Sequence, residues 1–199
     1  MAKGVLSEIL RSQQTVFTFK ELLMRRRTTA TKTLKNRINY YVQRGDLYHI
    51  RRGLYAKDKN YDRLELVTKI LTPSYISFET VLRAAGIIFQ YYSQIFVATY
   101  QSREIICDGQ TYVFRSLKPI ILTNTVGIEI KDTYSIASPE RAFLDIVYLH
   151  KGYYFDNLQP LNWDKVNEIL PVYGDNKRMK QKVALYRRTF EADFLKTSK

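Results

Sequence analysis

The sequence predicts an α+β fold in two domains, one over residues 1–58 and one over residues 62–199. Apolar residues recur at helical spacing through the first domain, and extended β-prone runs dominate from Gln94 onward. A short polar segment, 56–61, lies between the two regions. With 199 residues, of which 45% are apolar and 14% aromatic, the chain can bury the cores of two small domains.

The composition also limits the compartment and the cofactors. The sequence has no run of about 18 apolar residues, so we expect no membrane span. The first residues lack the apolar core of a signal peptide, and the single cysteine, Cys107, cannot close an internal disulfide. Two histidines, His49 and His150, leave little material for a zinc site. We therefore expect a cytoplasmic protein with no cofactor and no metal site.

The positive charge is concentrated in the first domain. The formal net charge is +13, and residues 1–60 carry 14 Lys and Arg against 4 Asp and Glu, a net of +10. Residues 61–150 carry 8 against 9, a net of −1, and residues 151–199 carry 10 against 6, a net of +4. This distribution predicts a polyanionic partner for the first domain. A basic surface that is merely solvated remains the alternative.

Two short helices are predicted to open the first domain. Val5 and Ile9 belong to an apolar face at helical spacing, and this helix should end near Ser12. Thr18 can cap a second helix, with Glu21 at the third position of a capping box. Phe19, Leu22 and Leu23 should face inward. The second helix should close on three basic residues, Arg25, Arg26 and Arg27.

A third helix should start at Thr28 or Thr29 and end at Gly45. Its predicted apolar face consists of Ala30, Leu34, Ile38, Tyr41 and Val42. The opposite face consists of Thr29, Lys32, Thr33, Asn36, Asn39, Tyr40 and Gln43, with Lys35 and Arg37 on its flanks. The polar face has no carboxylate, and its amides and hydroxyls can pair with base edges while the flanking cations meet phosphates. These properties are typical of a helix that reads a DNA major groove.

A basic hairpin is predicted after this helix. Two β-prone runs flank Arg51, Arg52 and Gly53, and Gly53 can supply the positive φ of a tight turn. Three helices followed by a basic hairpin form a winged helix-turn-helix, whose wing contacts phosphate or the minor groove. We therefore predict that the first domain binds double-stranded DNA. The predicted contacts are Arg25, Arg26, Arg27, Thr29, Lys32, Thr33, Lys35, Asn36, Arg37, Asn39, Tyr40, Arg51 and Arg52.

The second domain is predicted to combine helices with a mostly antiparallel sheet. The segment YDRLELVTKIL should form a helix that Pro73 ends, and a further helix should run from a Ser77 cap to Gly86. Asp108-Gly109 is a strong signal for a two-residue hairpin turn. The predicted extended runs are IFVATY, REIIC, TYVFRSL, PIIL, GIEIK and TYSIA. Ser138 and Pro139 should start a helix over ERAFLDIVYLHKG, and two C-terminal helices should follow around DKVNEIL and NKRMKQKVALYRRTF.

No convincing catalytic constellation is present. The strongest enzyme candidate is Asp108 with Glu129 and Lys131, which loosely resembles the metal site of restriction-type nucleases. Alternation along a solvent-facing strand explains Glu129 and Lys131 equally well. Arg141 and Asp145 are one helical turn apart, and we expect them to pair on the helix surface.

The sequence resembles the AbiEi-type antitoxins, which are transcriptional regulators of type IV toxin-antitoxin systems. The resemblance rests on FKELL…LKNRINYYVQRGDLYHIRRGLYA, on YISFETVLRAAGI and on DTYSIASPERAFLDIVYL. The last motif is the most specific, with Pro139, Glu140, Arg141 and Asp145 after a strand that ends in Ala-Ser.

This resemblance implies a repressor that binds inverted repeats upstream of its own operon through the N-terminal domain. It further implies that Lys32, Asn36 and their neighbours read bases and that Arg51 and Arg52 are wing contacts. The C-terminal domain would act as the antitoxin against a nucleotidyltransferase toxin, without necessarily forming a stable complex with it. Two alternatives remain open: a metal-dependent nuclease with a winged-helix module, and a stand-alone regulator without a toxin.

Overall fold

The computed structural model describes residues 4–25 and 30–197, with side chains described up to residue 192. Over these residues the chain has a mixed α+β fold with one three-stranded sheet and one six-stranded sheet. No helix in this part of the chain is both long and apolar enough to cross a bilayer.

The N-terminal unit consists of three helices and the three-stranded sheet. Its elements are α1 (Val5–Arg11), β1 (Val16–Thr18), α2 (Phe19–Arg25), α3 (Thr31–Gln43), β2 (Tyr48–Arg51) and β3 (Leu54–Ala56). Both β1 and β2 pair with β3 in antiparallel fashion, and the order is β1-β3-β2. The β2–β3 hairpin is the basic hairpin expected from the sequence, and Gly53 in its turn has φ +78°. Strand β1 was not expected, because the sequence shows only a break between the first two helices.

The predicted capping box at the start of α2 is confirmed. The Glu21 backbone N–H donates to Thr18 Oγ1 at 3.0 Å, and the Thr18 N–H donates to Glu21 Oε2 at 2.7 Å. These reciprocal bonds satisfy two backbone donors at the helix start.

The C-terminal boundary of α3 is the one predicted from the sequence, whereas the N-terminal boundary differs from the prediction. The Asp46 N–H donates to Tyr41 O at 2.9 Å and the Gly45 N–H to Val42 O at 3.1 Å, with Gly45 at φ +77°, so glycine ends the helix as predicted. At the other end the N-cap is Ala30, which lacks a side-chain cap and is exposed. The predicted caps, Thr28 and Thr29, lie outside the described residues, and Ala30 does not belong to the buried face.

The six-stranded sheet lies in the rest of the chain. Its strands are β4 (Ser74–Ile76), β5 (Ile95–Thr99), β6 (Arg103–Cys107), β7 (Gln110–Ser116), β8 (Ile128–Ile130) and β9 (Ser135–Ala137). The order is β6-β7-β5-β4-β9-β8. The β5–β7 and β4–β9 pairs are parallel and the other three are antiparallel, so the sheet is mixed. Asp108 (φ +47°) and Gly109 (φ +72°) form the predicted β6–β7 turn.

The helices of this region include α4 (Arg63–Ile70), α5 (Glu79–Ala84), α6 (Pro119–Leu122), α7 (Pro139–Leu149), α8 (Trp163–Ile169) and α9 (Lys177–Thr197), with a 3-10 turn at Leu170–Tyr173. Ser138 caps α7 as predicted, since its side chain accepts from the Arg141 N–H at 3.2 Å. Two predictions are wrong. PIIL forms the helix α6 instead of a strand, and Ser77 does not cap α5, because Phe78 with φ +57° is the N-cap residue.

The N-terminal unit is joined to the larger unit by apolar and polar contacts. Val16, Ile50, Leu54 and Ala56 belong to the main core with residues of α4 and the six-stranded sheet. Glu65, on α4 and fully buried, accepts from the Thr15 N–H at 2.8 Å and from its hydroxyl at 2.7 Å. These contacts fix the orientation of the N-terminal unit relative to the larger unit.

Lys69 completes this junction from the next turn of α4. Its ammonium group lies 3.1 Å from Glu65 Oε1 and donates to Val16 O at 2.6 Å. It also lies 3.4 Å from Glu21, which is the capping residue of α2. The lysine thereby ties α4, β1 and α2 together.

Candidate nucleic-acid interface

The polar face of α3 is exposed along its whole length. Leu34 and Ile38 are fully buried, and the residues between them point to solvent. The exposed set on α3 comprises Lys32, Thr33, Lys35, Asn36, Arg37, Asn39, Tyr40 and Gln43. The α3 contacts predicted from the sequence that the structure describes therefore lie on one accessible surface, and the helix has no acidic residue in its first turn.

A small separate core fixes the direction of this face. Leu34 and Ile38 pack in a cluster with Val5 and Ile9 of α1, Phe17, Leu22, Leu47 and Tyr55. Tyr41 and Val42 lie at the margin of the cluster and are partly buried. Helices α1 and α2 thus support α3 from behind and leave its polar side free.

Arg44 adds a cation that sequence reasoning did not include among the contacts. It follows α3 directly, and its guanidinium lies 5.4 Å from the centre of the Tyr40 ring and donates to the Tyr40 hydroxyl at 3.2 Å. Asp46 lies 3.2 Å from Arg44 Nε and holds the side chain in place. An isolated arginine after a helix gives no signal in the sequence, because its position depends on the tyrosine one turn earlier.

A shallow groove separates the end of α3 from the hairpin. Its walls are formed by Asn39, Val42, Gln43, His49 and Tyr55. His49 packs against Tyr55 with ring centres 5.3 Å apart. The side-chain amides of Asn39 and Gln43 lie at this groove beside the basic hairpin, where they offer hydrogen-bond donors and acceptors of the kind that contact a nucleic acid.

The two arginines of the hairpin differ in their surroundings. Arg52 is exposed in the β2–β3 turn, whereas Arg51 is half-buried at the end of β2. Arg51 also lies close enough to Cys107 to lower the pKa of that thiol, although burial is the larger influence and raises it overall. Arg52 is therefore the more accessible cation of the pair.

The last group of predicted contacts lies at the end of α2. Arg25 is exposed, donates to Gln14 Oε1 at 2.6 Å and stacks 5.7 Å from the Phe17 ring. Arg26, Arg27 and Thr29 lie outside the described residues.

Arg141 and Asp145, which we expected on a helix surface, are both fully buried. The expectation is wrong because other elements cover this side of α7. Arg141 Nε lies 3.5 Å from Asp145 Oδ1, and the guanidinium donates to Ile121 O at 2.7 Å and to Val126 O at 2.8 Å. A buried ion pair is retained only when further hydrogen bonds compensate the loss of water, and these carbonyls supply them.

Three hydroxyl groups complete the shell of Asp145. Tyr173 donates to Oδ1 at 2.7 Å, and Ser77 and Tyr75 donate to Oδ2 at 2.7 and 3.0 Å. Burial raises the pKa of Tyr75 and Tyr173 well above the ordinary tyrosine value, so both keep their protons and act as donors. Burial also raises the pKa of the Asp145 carboxyl, while Arg141 and the hydroxyls oppose that rise. The cluster thus connects α7 with β4, α6 and the 3-10 turn in the core.

The residues of the nuclease alternative are not brought together. Asp108 lies in the β6–β7 turn, where its Oδ2 accepts from the Tyr61 hydroxyl at 2.8 Å. Glu129 and Lys131 lie at β8, which forms the opposite edge of the sheet, and they pair with each other at 2.7 Å. Within the described residues, no group of three or more His, Cys, Asp or Glu side chains could hold a metal ion.

No family model matches the chain, and no curated protein matches it significantly.

Proposed function

We propose that the chain is a sequence-specific DNA-binding repressor whose N-terminal unit acts as a winged helix-turn-helix. The observation that carries this proposal is the exposed, carboxylate-free face of α3 beside a basic hairpin, in the region that holds most of the net charge. In this arrangement α3 would enter the major groove, Asn36 and Asn39 would pair with base edges, and Lys35 and Arg37 would meet phosphates. Arg52 would contact the backbone or the minor groove from the turn of the hairpin.

The antitoxin role rests on the sequence resemblance. We propose that the repressor regulates its own operon and that the larger unit opposes a nucleotidyltransferase toxin, in the cytoplasm. The test is whether the chain restores growth to cells that express the nucleotidyltransferase of the same operon. A failure of rescue would remove the antitoxin role and leave a stand-alone regulator.

Asn36→Ala should weaken binding to the operator by about 1 to 3 kcal/mol and leave the affinity for unrelated DNA unchanged. The reason is that an exposed amide in the middle of α3 can make a paired contact with a base. Fluorescence anisotropy with an operator selected from random duplexes and with a scrambled duplex measures both affinities. The control is Asn167→Ala, an exposed amide on α8. Equal losses on both duplexes would show that Asn36 does not read bases.

Arg52→Ala should weaken binding to all duplexes and reduce the slope of log K against log salt by about one. A single exposed arginine at the hairpin turn can neutralise one phosphate, and its removal leaves one counterion unreleased. Salt titrations between 50 and 200 mM, a range of about fourfold, give this slope. Arg103→Ala, at an exposed position of β6, should keep the wild-type slope. An unchanged slope for Arg52→Ala would place the hairpin outside the interface.

A further inference from the structure

Strand β8 forms a free edge of the six-stranded sheet and carries an unusually exposed apolar residue. Within the described residues its strand partner is β9 alone. Ile130, the last residue of β8, is 80% exposed. An unpaired strand edge with an exposed isoleucine is a template for pairing with another strand.

The direction of the backbone groups along β8 follows from its bonds to β9. The Lys131 N–H donates to Tyr134 O at 2.8 Å, and Gly127 O accepts from the Ser138 N–H at 2.8 Å. Because successive residues of a strand point their backbone groups to opposite sides, Ile128 and Ile130 direct theirs away from β9. The Ile128 N–H already donates to Thr125 O at 2.9 Å. Both backbone groups of Ile130 therefore face outward.

These outward groups select the register of a symmetric pair. In an antiparallel pair of two identical strands, the residue on the two-fold axis exchanges both backbone bonds with its own copy. Ile130 meets that condition, whereas Ile128 has used its N–H. With Ile130 on the axis, Glu129 of each copy lies directly opposite Lys131 of the other.

The charges favour this register. Glu129 and Lys131 are about half exposed, share one face of the strand and pair with each other at 2.7 Å. Charged residues at an edge normally prevent pairing because like charges come to face each other. Here the backbone places opposite charges face to face, and two such cross-strand pairs stabilise an antiparallel ribbon.

We propose that two copies of this chain associate through antiparallel pairing of their β8 edges, with Ile130 on the two-fold axis and Glu129 of each copy opposite Lys131 of the other. The partner is a second copy because this edge is complementary to itself in charge and in backbone groups. The six-stranded sheets of both copies would form one continuous sheet. The strand is short, so the association is weak and depends on concentration. This association does not require DNA binding, and we expect it even if the N-terminal unit binds another partner.

The test is sedimentation equilibrium of the full chain over a series of protein concentrations. The wild-type chain should approach twice its 23.5 kDa mass at high concentration. Glu129→Lys and Lys131→Glu should each weaken the dimer by about tenfold or more, because like charges then face each other twice. An equimolar mixture of the two variants should recover dimers, since each copy then supplies the charge that the other lacks. The double variant E129K/K131E should also recover them.

Controls separate this result from a folding defect or a general charge effect. Both positions are exposed, so circular dichroism and thermal melting of each variant should match the wild type. Asp175→Lys, which breaks an exposed pair with Lys180 on another surface, should leave dimerisation unchanged. A wild-type chain that stays monomeric, single variants that still dimerise, or a mixture that does not recover dimers would each overturn the proposal. Masses above that of a dimer would also overturn the proposal, because a two-fold β8 pair closes at two copies. Larger assemblies would indicate that β6, the other edge of the sheet, pairs head-to-tail with β8 of the next copy.

Discussion

Asp145→Ala should lower the free energy of unfolding by about 3 to 5 kcal/mol, because it leaves the Arg141 charge buried without its counterion. The hydroxyls of Tyr75, Ser77 and Tyr173 would lose their acceptor at the same time. Urea denaturation followed by circular dichroism measures the change, with the m-value as a check that unfolding remains two-state. The loss should be accompanied by a lower melting temperature.

The matched control for this variant is Glu191→Ala on α9. Arg187 and Glu191 have the same four-residue spacing and lie closer together, at 2.9 Å against 3.5 Å, but both side chains are about half exposed. Exposed pairs contribute about 0.3 to 0.5 kcal/mol, so this variant should be nearly neutral. If Asp145→Ala were as mild as Glu191→Ala, the buried cluster would not support the fold as we describe it.

Reversing three charges on α3, with Lys32, Lys35 and Arg37 all replaced by glutamate, should lower the affinity for any duplex by about 100-fold or more. Two unit charges about 4 Å apart interact by about 1 kcal/mol in water, so each reversal turns an attraction of this size into a repulsion. The three side chains are exposed, and the fold should therefore be retained. Electrophoretic mobility shift at low salt measures the loss.

The control carries the same charge change on a different basic surface. Lys177, Lys180 and Arg188 are exposed on α9, and their replacement by glutamate should change DNA affinity far less. An equal loss from both triple variants would mean that binding reflects overall charge. A loss confined to the α9 variant would assign the interface to that helix and would contradict the proposed reading helix.

Local signals were predictable from the sequence because they act within a few residues. The Thr18–Glu21 capping box, the Asp108-Gly109 turn and the Ser138 cap each depend on neighbouring backbone groups, and all three form as expected. The exposed face of α3 was predictable for the same reason, since helical periodicity alone separates Leu34 and Ile38 from the polar residues.

Features that depend on distant parts of the chain were not predictable. An Arg and an Asp four residues apart give the same pattern on a surface and in a core. Their burial is decided by Tyr75, Ser77 and Tyr173, which lie 70, 68 and 28 residues from Asp145. The parallel β5–β7 and β4–β9 pairs belong to the same class, because alternation along a strand does not reveal the direction of its neighbour. Strand β1 is only three residues long and is extended because β3 pairs with it.

The junction formed by Glu65 and Lys69 has a thermodynamic consequence for any ligand of α3. Because these side chains anchor β1 and its neighbours to α4, this junction between the two units does not have to be ordered when α3 meets a rigid polymer. The entropic cost of docking is correspondingly lower than for a domain on a loose connection. The bulk of the protein would then project from the bound polymer at one constant angle, set when the chain folds.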